Sequence, residues 1–258
     1  MALKLDLQKS AAKLQLDLSK AGVTKIPAME LAFDMDVSGS YKDEHKDGTT
    51  NALLTRLVPW GMVFDPDKQL DLFTFSRGVG AAHHVDMVTM ENYEDFVRRN
   101  IIDKVPGWCG GTVYAPVLRA NLETFGWVAP ELAEASAPSG GFFGKMFGRG
   151  ASAPGPASAV ELNPRKSLVV FNTDGDSDDE AATWRIFEEM ERGGYGMFVL
   201  FLAVSNQGGT FSFLRKLEGR YKNVGLCVIR DVRRWVEQDD EAINSELITP
   251  KLTSWLNA

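Results

Sequence analysis

The sequence predicts a doubly wound α/β fold, and three observations carry that expectation. Five short stretches, MELAFDMDV, QLDLFTFS, SLVVFNTD, GMFVLFLAVS and VGLCVIRD, have strand length and apolar residues at most positions. Segments with helical spacing fall between them. Strand and helix therefore alternate, as βαβ units around a mostly parallel sheet require. In such sheets ligands gather beyond the carboxyl ends of the strands.

The elements follow in chain order. LKLDLQKSA from Leu3 and LQLDLSKAG from Leu14 form a small repeat with leucine at every second position. That alternation predicts an N-terminal strand pair over residues 1–27, with Ala11, Ala12 and Lys13 between the copies favouring a helix instead. The α/β domain then spans residues 28–258. Helices are predicted over 50–63, 92–102, 114–127, 178–192 and 211–220, with a weaker strand at HHVDMVT. A C-terminal helix over 237–258 is interrupted near Pro250. Residues 130–164 break the pattern, because Ala, Ser, Gly and Pro dominate there. They read as a flexible insertion. Its centre, GGFFGKMFGRG, sets Phe142, Phe143, Met146 and Phe147 among glycines and two cations. Such a segment suits docking to a partner or peripheral contact with a membrane, or packing back on the domain itself.

Composition narrows the function. Hydrophobic residues make up 44% and charged residues 24%, enough for a sizeable core in a globular domain. A net charge of −7 leaves no excess of Lys and Arg for nucleic-acid phosphates. Cys109 and Cys227 are the two cysteines, too few for a disulfide framework. The longest apolar run, GMFVLFLAV, is too short to span a bilayer, and the N-terminus lacks a signal-peptide core. A cytoplasmic protein is expected, with membrane association left to the insertion.

The chemistry concentrates in three stretches. FDMDVSGSYKDEHKDG leaves a strand with Asp34, Asp36, Ser38 and Ser40 at alternating positions. Short oxygen-bearing side chains of this kind serve turns, and they also suit hard cations such as Mg²⁺. WCGGTVYAP offers Thr112 after two glycines and before a helix, where a cap is the plainer role. VVFNTDGDSDDE ends a strand on Asp174. Ser177 and Glu180 there have capping-box spacing, and Asp178 and Asp179 suit a helix start. Asp174 and Asp176 remain outside that account.

DVSGS, GGT and TDG, in this order, resemble the metal-ion-dependent adhesion site of the von Willebrand factor A domain. The resemblance covers roughly residues 28–235 and implies a von Willebrand A-type fold. It also implies that Asp36, Ser38, Ser40, Thr112 and Asp174 hold Mg²⁺, or Mn²⁺ or Ca²⁺, whose shell a partner's acidic residue completes. The longer stretch DGTTNALLTRLVPWGMVFDPDKQLDLFTFS, with NYEDFV and GGTVYAPVLRANL, is similar to the A-type domain of bacterial tellurite-resistance (Ter) and stress-response proteins. The doubled LxLDLxK resembles the N-terminal strands of that group. This narrower resemblance implies a cytoplasmic, non-enzymatic assembly module whose partners are other Ter-type proteins. Two positions depart from the pattern. Tyr41 stands where methionine is common, and Asp34 adds a carboxylate that favours Ca²⁺ or a second ion.

FDMDVS also resembles the first motif of haloacid-dehalogenase-type phosphatases. That alternative makes Asp34 the nucleophile and Asp36 the acid/base, with GDSDD as the metal motif. It lacks a suitably placed lysine and leaves SGS and GGT unexplained. Other chemistries have less support. His83 and His84 are neighbours on a strand and point to opposite faces, and His45 lies in a charged loop. Cys109 reads as a packing residue.

Overall fold

The protein is described from a computed structural model, over residues 5–130, 164–205 and 208–258. Strands β1 (Glu30–Asp36), β2 (Leu70–Phe75), β3 (His83–Val88), β4 (Ser167–Thr173), β5 (Met197–Val204) and β6 (Val224–Ile229) form one sheet. Their order is β3-β2-β1-β4-β5-β6, with every pairing parallel except β2 with β3. All residues of β4 and β5 are buried, which explains why these two strands read as continuous apolar runs. Edge strand β3 carries the weak HHVDMVT pattern because it alternates between exposed and partly buried positions.

Chain order reverses between β1 and β4. From β1 the chain passes through the short α2 (Lys42–Lys46) to α3 (Thr49–Phe64), whose Leu53 and Leu57 share a core with Leu31, Phe33 and Met35. From β4 it passes to α6 (Glu180–Gly193), whose Ile186 and Phe187 share the opposite core with Val169 and Phe171. Neighbouring strands thus send their following helices to opposite faces, which opens a crevice above their carboxyl ends. Between β3 and β4 lie α4 (Phe96–Asn100) and α5 (Ala115–Thr124). After β5 come α7 (Ser212–Arg220), then α8 (Val232–Val236) beyond β6. The predicted C-terminal helix is two helices, α9 (Asp240–Leu247) and α10 (Pro250–Asn257), with Pro250 opening the second. The insertion over 130–164, with Phe142, Phe143, Met146 and Phe147, lies almost entirely outside the described residues.

The N-terminal strand pair is not formed. Residues 7–20 make one helix, α1 (Leu7–Lys20), opened by Asp6, whose carboxylate accepts the Lys9 N–H at 3.1 Å. Leu7, Ala11, Leu14 and Leu18 fall at intervals of four, three and four, so they share one buried helix face against α3 and α9. Leu16, which a strand would bury beside Leu14 and Leu18, is 52% exposed. Asp17 anchors the face by accepting the Asn244 amide at 3.0 Å. Leucine at every second position satisfied both periods, and the cap with the helix-forming Ala-Ala-Lys decided between them. Among the described residues no helix is long and apolar enough to cross a membrane.

The helix makes a sharp prediction. Leu18→Ala should cost about 2–5 kcal/mol in urea unfolding, as for other buried leucines. Leu16→Ala should stay within about 0.5 kcal/mol. Equal losses at the two positions would restore the strand.

Candidate functional site

Strands β1 and β4 pair in register, with Met35 opposite Asn172, so Asp36 ends β1 at the level of Thr173 and Asp174 follows one residue beyond. Asp36 is fully buried at the strand end. One carboxylate oxygen accepts the Ser38 N–H at 2.8 Å, and the other accepts the Thr173 hydroxyl at 2.8 Å. Ser40 Oγ donates to Asp174 Oδ1 at 3.0 Å, Ser38 Oγ lies 3.5 Å from the same oxygen, and the two serine oxygens are 3.2 Å apart. Four of the five expected residues therefore form one oxygen cluster at the reversal point.

Thr112 belongs to the loop against this cluster. The loop is locked to the end of β1: Cys109 N–H donates to Val37 O at 2.8 Å, and Gly39 N–H donates to Gly110 O at 3.0 Å. Two glycines let the same loop pack against Ser76, just after β2. Gly107 has φ +74°, and a Cβ there would lie 2.0 Å from Ser76 Oγ. A Cβ on Gly110 would lie 2.9 Å from Gly107 O. Two residues on, Thr112 O accepts the Asp178 N–H at 2.9 Å, which ties the second loop to the third. The Thr112 hydroxyl is not hydrogen-bonded to the four other residues.

The acids that follow Asp174 have other work. Asp179 accepts the Tyr114 and Ala115 N–H groups at 2.9 and 3.1 Å, so it stabilises the start of α5 rather than its own helix. The expected Ser177–Glu180 capping box is absent; the Asp179 N–H instead donates to Ser177 Oγ at 3.2 Å. Asp178 pairs with Arg77 at 2.6 Å. Asp176 accepts backbone N–H groups of Ser212 and Phe213 at the start of α7.

Asp34 does not join the cluster. It lies two residues back along β1, 0% exposed, where its Oδ2 accepts the Asn121 amide of α5 at 2.7 Å. Burial holds its pKa well above the ordinary carboxylate range. Asp34 Oδ1 and Asn121 Oδ1 both lack a partner. A proton on Asp34 supplies the donor that this acid–amide pair is missing. The expectation of an additional ligand or a second ion at Asp34 is thus corrected. The phosphatase alternative meets the same obstacle, since a nucleophile here reaches no phosphoryl group unless α5 leaves the sheet.

His45 is likewise not in a charged loop. It is buried on α2, with Nε2 2.8 Å from Asp36 O and Nδ1 2.9 Å from Thr50 Oγ1. A carbonyl only accepts, so Nε2 carries the hydrogen and Nδ1 receives the Thr50 hydroxyl. Burial lowers its pKa to about 4, which keeps the ring neutral. The ring centroid lies 5.2 Å from those of Tyr41 and Trp108, so it fills the space between the first and second loops. Thr173 and His45 were not singled out as site residues. Thr173 was legible as a hydroxyl beside Asp174, whereas nothing near His45 in sequence signalled its contact with the end of β1.

The electrostatics are those of an unneutralised acid pair. Burial, then repulsion from Asp174, raises the Asp36 pKa to about 7. Asp174 is raised too, by burial and by Glu44, against the hydrogen bonds from Ser40 and Ser38. Neither acid is in a salt bridge with Lys or Arg among the described residues. No group of three or more His, Cys, Asp or Glu there is placed to hold a metal. The available donors are instead two carboxylates with serine and threonine hydroxyls. All are hard oxygens, so they fit Mg²⁺ or Mn²⁺ with water completing the shell.

With this geometry in view, solved structures identify the fold. Proximal thread matrix protein 1 from the mussel byssus aligns with a TM-score of 0.51 at 16% identity, over 84% of this chain and 46% of that one. The fold is that of a von Willebrand A domain. This chain spans less than half of the mussel protein's length. A structure of that protein with a zinc-occupied MIDAS motif aligns at TM-score 0.47, with 15% identity, over 81% of this chain and 46% of that one. The manganese-loaded TRAP protein of Plasmodium vivax aligns at TM-score 0.46, with 14% identity, over 87% of this chain and 73% of that one. No family model and no curated protein matches the sequence.

The Asp34–Asn121 pair yields a test. Asp34→Asn places an amide against an amide: an NH2 replaces the orphan Asp34 oxygen and donates to Asn121 Oδ1, so stability should change by less than about 1 kcal/mol. Asp34→Ala leaves Asn121 unpaired and opens a cavity, and should cost about 2 kcal/mol or more. Thermal unfolding of the two variants checks this. A large loss from Asp34→Asn would show that an ionised Asp34 is required.

Proposed function

We propose that the protein is a metal-dependent protein-binding module whose divalent cation is held by Asp36, Ser38, Ser40, Thr112 and Asp174. One observation carries the reading: Ser38, Ser40 and Asp174 converge within hydrogen-bond distance in front of a buried Asp36. Ser38, Ser40 and Asp174 face the crevice as candidate direct ligands. Asp36 is already engaged by Ser38 N–H and Thr173, so it suits contact through water. Thr112 supplies a hydroxyl from the second loop. Mg²⁺ is the reading's first choice, because it keeps several waters and needs few protein carboxylates. Two acids and three hydroxyls leave the bound ion short of ligands, and an acidic side chain of another protein would complete the shell.

The absence of a catalytic step is part of this reading. It is supported by the burial of Asp34 and by the nearby histidine, which spends both ring nitrogens on structural hydrogen bonds. We place the module in a bacterial tellurite-resistance or stress-response assembly with Ter-type partners. That context is supported by the stretch from DGTTNALL to LFTFS and by GGTVYAPVLRANL alone. A cytoplasmic location goes with it.

Isothermal titration of Mg²⁺ and Mn²⁺ checks the site. Wild-type protein should bind one ion, and Asp36→Ala and Asp174→Ala should each weaken binding by at least about tenfold. Thr112→Ala should weaken it less, because one neutral oxygen is lost. Unchanged binding in Asp36→Ala ends the proposal.

A further inference from the structure

At the other end of the sheet, a groove of about 470 Å³ opens beside the amino ends of β5 and β6. Met190, Tyr195 and Trp255 line it, with Gly194 and Asn223 at its edges. Two of the three charged side chains that line it are paired. Glu191 pairs with Arg220 at 2.7 Å, and Lys251 pairs with Glu218 at 3.0 Å. Lys222 also lines it and makes no salt bridge among the described residues. Met190, Tyr195 and Trp255 nonetheless give a broad aromatic and aliphatic wall, so the groove suits a largely apolar occupant. Its volume lies within the ~300–1,000 Å³ of pockets that take small ligands or side-chain clusters.

Both ends of the insertion meet this groove. On the entering side, the Trp127 ring lies 5.9 Å from Tyr195, and Trp127 Nε1 donates to Ser167 Oγ at 3.0 Å. On the leaving side, Lys166 Nζ sits 5.0 Å above the Trp255 ring and donates to Trp255 O at 2.9 Å. The chain therefore departs from one wall and returns to the other. Between them the sequence carries its one aromatic cluster outside the described residues, Phe142, Phe143, Met146 and Phe147.

We infer that the groove between Tyr195 and Trp255 is the docking site for the chain's own segment Phe142–Phe147. Length permits it. Twelve residues lead from Pro130 to Phe142 and seventeen from Phe147 to Pro164, each able to reach about 40 Å or more when extended. Tethering favours it, because a segment held at both ends acts at an effective concentration on the order of millimolar. Phe142 with Phe143, and Met146 with Phe147, supply two apolar pairs for the wall of Met190, Tyr195 and Trp255. The inference does not depend on the cation site at the opposite end of the sheet.

The test uses the full chain. Hydrogen exchange is followed at residues 190–196 and 250–258 in wild type and in a variant with Phe142, Phe143, Met146 and Phe147 all changed to Ser. The thermal midpoint of the variant confirms that the fold is retained. Exchange at both stretches should rise by about tenfold or more in the variant, and equal exchange overturns the inference. A reciprocal arm follows trypsin cleavage after Lys145 and Arg149. Tyr195→Glu should speed it severalfold while its thermal midpoint confirms folding, and equal rates count against docking. Sedimentation and vesicle arms separate other occupants. A dimer dispersed by the serine changes, or phosphatidylglycerol binding that depends on the four residues with groove exchange unmoved, would overturn the inference.

Discussion

Two buried or half-buried carboxylates, Asp36 and Asp174, sit at the ends of adjacent parallel strands, and among the described residues neither is in a salt bridge with Lys or Arg. The rest of the site is arranged around that constraint. Burial raises the pKa of both acids, and repulsion adds to it, from Asp174 at Asp36 and from Glu44 at Asp174. Hydrogen bonds from Ser38, Ser40 and Thr173 offset part of it. A structural domain would remove the conflict with a lysine or with apolar residues. Its retention, at the one point where the sheet reverses order, is what makes a divalent counter-ion the natural complement.

Holding the acids there takes more of the molecule than the three loops. His45 fixes the carbonyl of Asp36 to Thr50 at the start of α3, and its ring fills the space between Tyr41 and Trp108. Asp179 holds the start of α5, and Tyr114 at that start donates its hydroxyl to Thr173, the residue bonded to Asp36. Glycines 107 and 110 let the second loop pack on Ser76, just after β2, while its backbone bonds to residues 37–39. Preorganisation of this kind keeps the oxygens together before any ion arrives.

The sequence was informative where one physical rule acted alone. Buried parallel strands read as apolar runs, and short oxygen side chains after β1 and β4 read as a site. It misled where two rules agreed with the same residues. Leucines at every second position in residues 3–18 also fall at helical intervals, and only a cap and packing on α3 and α9 separate the readings. Asp34 is invisible as a core residue because its partner, Asn121, lies 87 positions away. The acids of DGDSDDE look like one cluster in sequence, yet they serve four different neighbours: Ser40, the start of α7, Arg77 and the start of α5. Long-range pairing of this kind leaves no local pattern to read.

The two ends of the sheet divide the chemistry. At the carboxyl ends of β1 and β4 the unspent groups are hard oxygens, and their natural complement is a small cation. At the amino ends of β5 and β6 most charges are spent in pairs, and beside Lys222 what is left over is a mainly apolar wall. A doubly wound sheet produces this asymmetry readily, because strand ends at the reversal point diverge and expose polar backbone and loop groups. The opposite end is closed by helix-to-strand turns and by α10, whose Trp255 packs on Phe198 and reaches the groove. An insertion placed between α5 and β4 necessarily begins and ends at that apolar end. Its four large apolar side chains therefore have a surface within reach that does not compete with the oxygen site.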